Sequence, residues 1–292
     1  MDSITVLMST YNGESYLREQ IDSILGQRDV ELYLVIRDDG SNDTTLEILQ
    51  SYVHLSNVRI IEGNNVGAAK SFFELIKIAM NSDYYAFADQ DDVWDADKLS
   101  VAINMIKNYS QIPCIYSSNT RLVDKNLRMV KVENDNPLIT LESAFIKNYC
   151  TGCTSVFNRS LMNEFKIYQP EYVVMHDWWI NILALSLGGE SIYDFNAHIN
   201  YRQHGKNVSG AELSYWRKCI NRALKFKNMR YRRDVLAREI LDNYENKVPI
   251  DNREVLRSFA NNSWKMIFIP SFRCRKVIDT ILFKICVLFN RI

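Results

Sequence analysis

The chain has 292 residues, of which 47% are hydrophobic and 24% charged, with only 10 glycines and 5 prolines. That excludes a disordered, collagen-like or low-complexity protein and fits one large domain or a domain plus an appendage. Formal net charge is zero, yet residues 212–292 carry 18 Lys+Arg against 8 Asp+Glu, a net of +10, so the first 211 residues are as acidic as the tail is basic; such halves predict different partners for each.

In chain order, Ile4–Ser9 reads as a buried strand ending in the loop TYNGE. In Ser15–Leu25 the residues Tyr16, Leu17, Ile21, Ile24 and Leu25 share a helical face. Glu31–Arg37 is a second strand, ending at DDGSND, where Asp43 or Ser41 is expected to cap a helix over Thr44–Tyr52. Val58–Ile61 is a third strand, followed by GNNVG and a helix from Ala68 to Met80. Tyr84–Ala88 is a fourth strand, which stops at three carboxylates, Asp89, Asp91 and Asp92; a helix over Ala96–Tyr109 and a strand near Cys114–Ser117 follow. Beyond these lie a helix over Thr140–Lys147, a short strand at Thr154–Phe157, a helix over Asp177–Leu187 and one or two strands in Ile192–Arg202. From Glu212 the pattern is long, basic and helical.

The six cysteines follow no disulfide spacing and no signal peptide precedes the first strand, so a reducing cytoplasm is expected. No apolar run reaches the roughly 18 residues that span a bilayer.

Strand–helix alternation with short connections predicts an α/β sheet with helices on both faces. In such sheets ligands bind beyond the carboxyl ends of the strands. Thr10–Asn12, Asp38–Asp39, Asn64–Gly67 and Asp89–Asp92 all fall at those ends. Like charges packed as closely as Asp89, Asp91 and Asp92 repel, and burying them unpaired is costly, so something positive must join them. Hard carboxylate oxygens suit Mg²⁺ or Mn²⁺.

Four motifs stand in order, STYNGESYLREQIDSIL, IRDDGSNDTT, NNVGAAKSFF and FADQDDVW, followed by YCTGCTSVFNRSL, HDWW and YRQHGKNVSG. Together they closely resemble family 2 glycosyltransferases of the rhamnosyltransferase-like branch, over roughly residues 3–210. The resemblance implies a GT-A fold, a Rossmann-like mixed sheet flanked by helices, as a catalytic domain over 1–211, with 212–292 as a C-terminal basic helical appendage. It further implies an inverting transfer of a sugar from a nucleoside diphosphate donor, dTDP-rhamnose or a UDP-sugar, to a growing surface polysaccharide. A UDP-glucose or UDP-galactose transferase and a non-catalytic nucleotide-sugar-binding protein are the alternatives.

The resemblance also distributes roles. Asp91 is the more direct metal ligand; Asp89 contacts ribose or a metal-bound water, with Gln90 between them in the donor site. Asp39, supported by Asp38, accepts from the nucleobase, and Thr10, Tyr11, Asn12 and Glu14 line the base pocket. Asn65 and Gly67 precede a helix start that favours an anion; Lys70, one turn in, is either a phosphate partner or a surface lysine. Asp177 is the base that deprotonates the acceptor hydroxyl. Many relatives have Glu-Asp where this chain has His176-Asp177. Gly152 lies beside the acceptor, with Cys150 and Cys153 as small fillers, and Trp178 and Trp179 either stack on a sugar ring or belong to the core. His204 is either structural or a contact to phosphate or metal; Arg202 and Lys206 are weaker candidates.

In the tail, Trp216, Ile220 and Ala223 share one helical face and Lys218, Arg222 and Lys225 another; KNMRYRR, WKMIFIPSFRCRK and Val277–Phe289 follow. Basic residues beside Trp and Phe predict an interfacial surface that meets an anionic membrane leaflet. This would bring a cytoplasmic, membrane-peripheral enzyme to a polyprenyl-diphosphate-linked acceptor. A helical bundle packed on the catalytic domain, or a homodimer interface, is the other reading. No nucleic-acid recognition motif is present.

Overall fold

The structure, a computed structural model, describes residues 1–172, 175–204 and 232–289. Lys206 and the tail residues 216–225, together with the KNMRY of the following basic run, lie outside the described residues.

The first half alternates as the pattern requires: β1 (Ser3–Thr10), α1 (Leu17–Leu25), β2 (Glu31–Asp38), α2 (Thr45–Gln50), β3 (Val58–Glu62), α3 (Ala68–Ile78) and β4 (Tyr84–Ala88). Then come β5 (Val93–Trp94), α4 (Lys98–Ile106), β6 (Cys114–Val123), β7 (Met129–Val132), α5 (Leu141–Ile146), β8 (Val156–Asn158), α6 (Arg159–Phe165), α7 (His176–Ser186) and β9 (Glu190–Arg202). Three helices close the described chain: α8 (Arg233–Tyr244), α9 (Ile250–Ala260) and α10 (Val277–Leu288).

The strands form one mixed sheet in the order β3-β2-β1-β4-β8-β6-β9-β5, with β7 paired to β6. β1 runs parallel to β2 and β4, whereas β8 runs antiparallel to β4 and β6. Strand residues alternate between two cores. Leu7, Val35, Phe87, Ile115 and Phe157 face one side, with α3, α5, α6 and α7. Val6, Met8, Leu34, Ile36, Ala86 and Val156 face the other, with α1, α2 and α4. This is the period of two that a sheet covered on both faces demands.

Several boundaries differ from expectation. Ile192–Arg202 is the end of a single long strand, bent by register irregularities against β6 near Asn119. β5, β7 and α6 were not anticipated; two- and four-residue strands are too short to show a period. Asp43 accepts the Thr45 N–H at the start of α2, while Ser41 instead donates to Asp38.

The tail does not stand apart. Leu236, Ile240, Leu256, Phe259, Phe283 and Val287 share one apolar core with Phe145, Trp178 and Leu183 of the sheet-covering layer. Arg233 fixes the junction, donating to the carbonyls of Phe145 and Ile146 at 2.6 and 2.8 Å, which are orphan acceptors at the end of α5.

Candidate active site

The rim of the sheet is built by loops that hold one another. Gln90 clamps the end of β1: its Oε1 accepts from Thr10 Oγ1 at 2.7 Å and the Tyr11 N–H at 2.8 Å, and its Nε2 donates to the Tyr11 carbonyl. Asn12 adopts a φ of 50° and its Oδ1 accepts the Asn42 N–H, tying the first loop to the second. Glu14 does the same through Thr44, whose hydroxyl and N–H both reach Glu14 Oε2. The phenol of Tyr11 stays 43% exposed, so one ring above the rim is open to a ligand.

Asp38 and Asp39 are both buried. Asp38 accepts from the N–H groups of Gly40 and Ser41 and from the Ser41 hydroxyl, closing the DGS turn. Asp39 pairs with Arg37 and accepts the N–H groups of Val66 at 3.0 Å and Gly67 at 2.9 Å. It therefore positions the third loop, Asn65 included, and one acceptor site on Oδ2 remains. Gly67 has a φ of 85°, and no atom would meet a Cβ built there, so the start of α3 is unobstructed. Lys70 is exposed one turn further on.

At the acidic cluster, Asp91 Oδ2 lies 2.7 Å from His204 Nε2. Asp89, Asp92 and Cys153 bring their ligand atoms within 4.8 Å of one another. Burial, followed by the charges of Asp91 and Asp177, pushes Asp89 up to about 7. Asp92 is fully buried, and burial together with Asp91 and Asp89 drives it well above the ordinary carboxylate range.

Two buried cationic side chains pack beside the cluster. Lys98 is fully buried with its Nζ 3.5 Å from the centroid of the Trp94 ring. Burial pulls it down to about 7, while Cys153 and Asp92 hold it up. Arg202 is buried too; it donates to the Asp91 carbonyl at 2.8 Å, pairs with Glu19 and lies over Tyr16. Sequence reading missed Lys98 because a lysine at the start of an amphipathic helix carries no mark of burial. It rated Arg202 low because its partners, Glu19 and Lys125, are distant in sequence.

Asp177 sits in the first turn of α7, buried, with Oδ2 accepting the Gly152 N–H at 2.8 Å and Oδ1 accepting Asn148 Nδ2 at 3.1 Å. Burial raises it to about 6, against the lowering effect of those donors and the Trp178 N–H. A carboxylate held near neutrality and oriented by two donors suits proton abstraction. The charge of Asp177 is also among those that raise Asp89.

His176 has no such role in this geometry. It is 3% exposed, stacks on Phe72 at 3.7 Å between ring centroids, and neither ring nitrogen has a partner among the described residues. Burial pulls it down to about 3, so it is neutral. The sugar-stacking role considered for Trp178 and Trp179 is corrected: they are 3% and 1% exposed. Trp178 donates to the Ala144 carbonyl at 2.7 Å, and Trp179 packs near Tyr168. No ring face is left for a sugar. Cys150 and Cys153 are buried free thiols, as fillers would be.

Residues 5–165 match the sequence model of "Glycosyl transferase family 2". The chain belongs to glycosyl transferase family 2. Among curated relatives, it is similar to the dTDP-rhamnosyl transferase RfbG of Shigella flexneri, 32% identical over 78% of this chain and 82% of that one. It is also similar to UDP-Glc:alpha-D-GlcNAc-diphosphoundecaprenol beta-1,3-glucosyltransferase WfgD of Escherichia coli, 30% identical over 62% of this chain and 69% of that one. Among solved structures, S. aureus TarS 1-349 in complex with UDP-GlcNAc superposes with a TM-score of 0.62 at 20% identity, covering 99% of this chain and 80% of that one. The mannosyltransferase PcManGT from Pyrobaculum calidifontis, in complex with GDP-Man and Mn2+, gives a TM-score of 0.57 at 15% identity, covering 99% and 88%. The fold of this family 2 glycosyltransferase is therefore GT-A, and its nine-stranded mixed sheet is the expected Rossmann-like sheet with helices on both faces.

Proposed function

We propose that this glycosyltransferase carries out an inverting transfer of rhamnose from dTDP-rhamnose to a hydroxyl of a growing glycan. The observation that carries this reading is the buried carboxylate of Asp177, oriented by donors from Gly152 and Asn148. The likeness to RfbG over most of both chains supports rhamnose as the sugar. A UDP-hexose is the second donor reading, favoured by the likeness to WfgD.

Asp177 takes the proton of the acceptor hydroxyl as its oxygen attacks the anomeric carbon. The bond from that carbon to the diphosphate oxygen breaks as the new glycosidic bond forms on the opposite face. Tyr11 covers the nucleobase of the donor, and the Gln90 clamp and the Asp39-held loop keep the donor pocket in shape.

Asp91 Oδ2 and His204 Nε2, 2.7 Å apart at the strand ends, offer an oxygen and a nitrogen suited to a divalent cation, and Asp89 stands beside them in a second group with Asp92 and Cys153. When bound, Mg²⁺ or Mn²⁺ would offset the charge that develops on the departing diphosphate.

The acceptor is read as lipid-linked through a diphosphate, the chemistry in the name of WfgD. No helix of the described residues is long and apolar enough to cross a membrane. On α10, however, Val277, Ile278, Ile281, Ile285 and Leu288 expose one apolar stripe, and Trp264 and Phe268 are 64% and 72% exposed nearby in sequence. With Lys265, Arg273, Arg275 and Lys276 in the same segment, this surface suits an anionic leaflet.

Incubation with a panel of nucleotide sugars plus Mn²⁺, followed by NMR of the product anomer, tests the reading. Transfer from dTDP-rhamnose with inversion is expected; retention of configuration, or turnover only with UDP-hexoses, overturns it.

A further inference from the structure

A cleft opens where the C-terminal segment meets the loop before α5. Its walls include Asp135, Lys147, Asn148, Arg275, Lys276 and Asp279. We propose that this cleft binds the diphosphate of a lipid-linked acceptor, with the cations of the C-terminal segment as its ligands; the inference rests on Asp177 being the base.

Three observations converge. First, Asn148 lines the cleft and also donates to Asp177 Oδ1 at 3.1 Å, so a single side chain stands between a ligand seated there and Asp177. Second, the cations are held in place yet remain available. Lys147 pairs with Asp279 at 3.0 Å and Lys276 pairs with Asp135, with the two lysine side chains 40% and 55% exposed. An ammonium has three donors and each pair uses one. Arg275 is exposed on the same wall and brings a guanidinium suited to bidentate phosphate recognition. The two aspartates reduce the net charge to +1, so the cleft does not collect anions indiscriminately; they hold the lysines toward it. Third, the apolar stripe lies on a helix that also borders the cleft. Lys276 and Asp279 line the cleft at the start of α10, and Ile278, Ile281 and Ile285 are exposed along that same helix. The N-terminal end of this 12-residue helix adds a favourable field for an anion. A diphosphate in the cleft would thus have its lipid chain directed at the leaflet surface and its sugar at Asp177.

The probe is farnesyl diphosphate, titrated in EDTA against the full chain by calorimetry, with farnesol, inorganic pyrophosphate and dTDP as controls. Wild type is expected to bind farnesyl diphosphate at least tenfold more tightly than either Arg275→Glu or the Arg275→Ala/Lys276→Ala double variant. Farnesol should not bind, and pyrophosphate should bind more weakly than its farnesyl ester. Equal affinity in wild type and both variants overturns the site. Displacement of the probe by dTDP also overturns it, since that places the probe in the donor pocket. Pyrophosphate binding as tight as the ester overturns the lipid-linked assignment. Nucleotide binding with Mn²⁺, measured on the same preparations, reports separately on the donor reading: its failure removes the transferase mechanism without altering the variant comparison in EDTA.

Discussion

The backbone N–H of Gly152 donates a 2.8 Å hydrogen bond to Oδ2 of Asp177. The proposed base is thus aimed by the turn that precedes β8 as well as by its own helix. A Cβ at 152 would lie 3.0 Å from His176 Nε2 and 3.4 Å from Asp177 Oδ2. His176 is wedged against Phe72 and Phe87 and has little room to yield. Gly152→Ala is expected to shift the carboxylate and lower kcat by about tenfold or more, leaving donor KM unchanged. Steady-state kinetics check this; an unaltered kcat would separate Gly152 from the base.

Asp177, raised to about 6 by burial, must be ionised to accept a proton. Transfer is expected to fall as pH drops through about 6 and to level off above it. Because its folded value lies above the ordinary aspartate value of 3.8, ionisation of Asp177 costs folding stability as pH rises between those values and costs nothing further beyond them. Asn148→Ala removes a donor that favours the charged form, so the acidic limb of the kcat profile should move to higher pH. A limb that stays in place would show that Asn148 does not govern the base.

Asp91→Asn should abolish metal-stimulated transfer, and EDTA should do the same to wild type. The substitution also weakens the contact to His204, now 2.7 Å, so it should loosen Mn²⁺ binding measured by calorimetry. Full rates in EDTA would contradict the assigned role of the cluster.

Trp178→Phe tests the corrected assignment of the HDWW motif. It removes the 2.7 Å bond to the Ala144 carbonyl and leaves that buried oxygen unpaired, a cost of about 1–3 kcal/mol. Chemical denaturation should register the loss while acceptor KM holds. The reverse pattern, a raised acceptor KM at unchanged stability, would return the ring to the sugar.

The double substitution Ile281→Glu and Ile285→Glu places two carboxylates on the exposed stripe of α10, where both isoleucines are already solvent-facing. Thermal stability is expected to be unchanged. Flotation with vesicles of phosphatidylglycerol and phosphatidylcholine should show reduced binding, and undiminished binding would locate the membrane contact elsewhere.

How far the site could be read beforehand depended on the range of each signal. The four rim clusters were legible because a strand end is a local event: a run such as YYAFA stopping at DQDD marks it directly. Whether a polar side chain faces a ligand or holds a neighbouring loop is not local. Asp39 and Gln90 both stand at the rim, yet Asp39 binds the N–H groups of Val66 and Gly67, and Gln90 clamps Tyr11. Trp178 and Trp179 carried no signal distinguishing core from surface, because adjacent residues on α7 are both buried where the helix is covered on several sides.

By itself, then, the order of residues determined the alternating sheet, the acidic strand end and the candidate base, since periodicity and charge spacing act over a few residues. Only the tertiary structure decided what packs around the acids. Lys98 starts α4, whereas Arg202 ends β9 and His204 follows it by two residues, and the cost of burying a charge is set by what the fold packs beside it. It likewise decided that residues 232–289 close over α5 and α7 and contribute a wall to the cleft lined by Lys147 and Asn148, because apolar faces find partners in space irrespective of their distance along the chain.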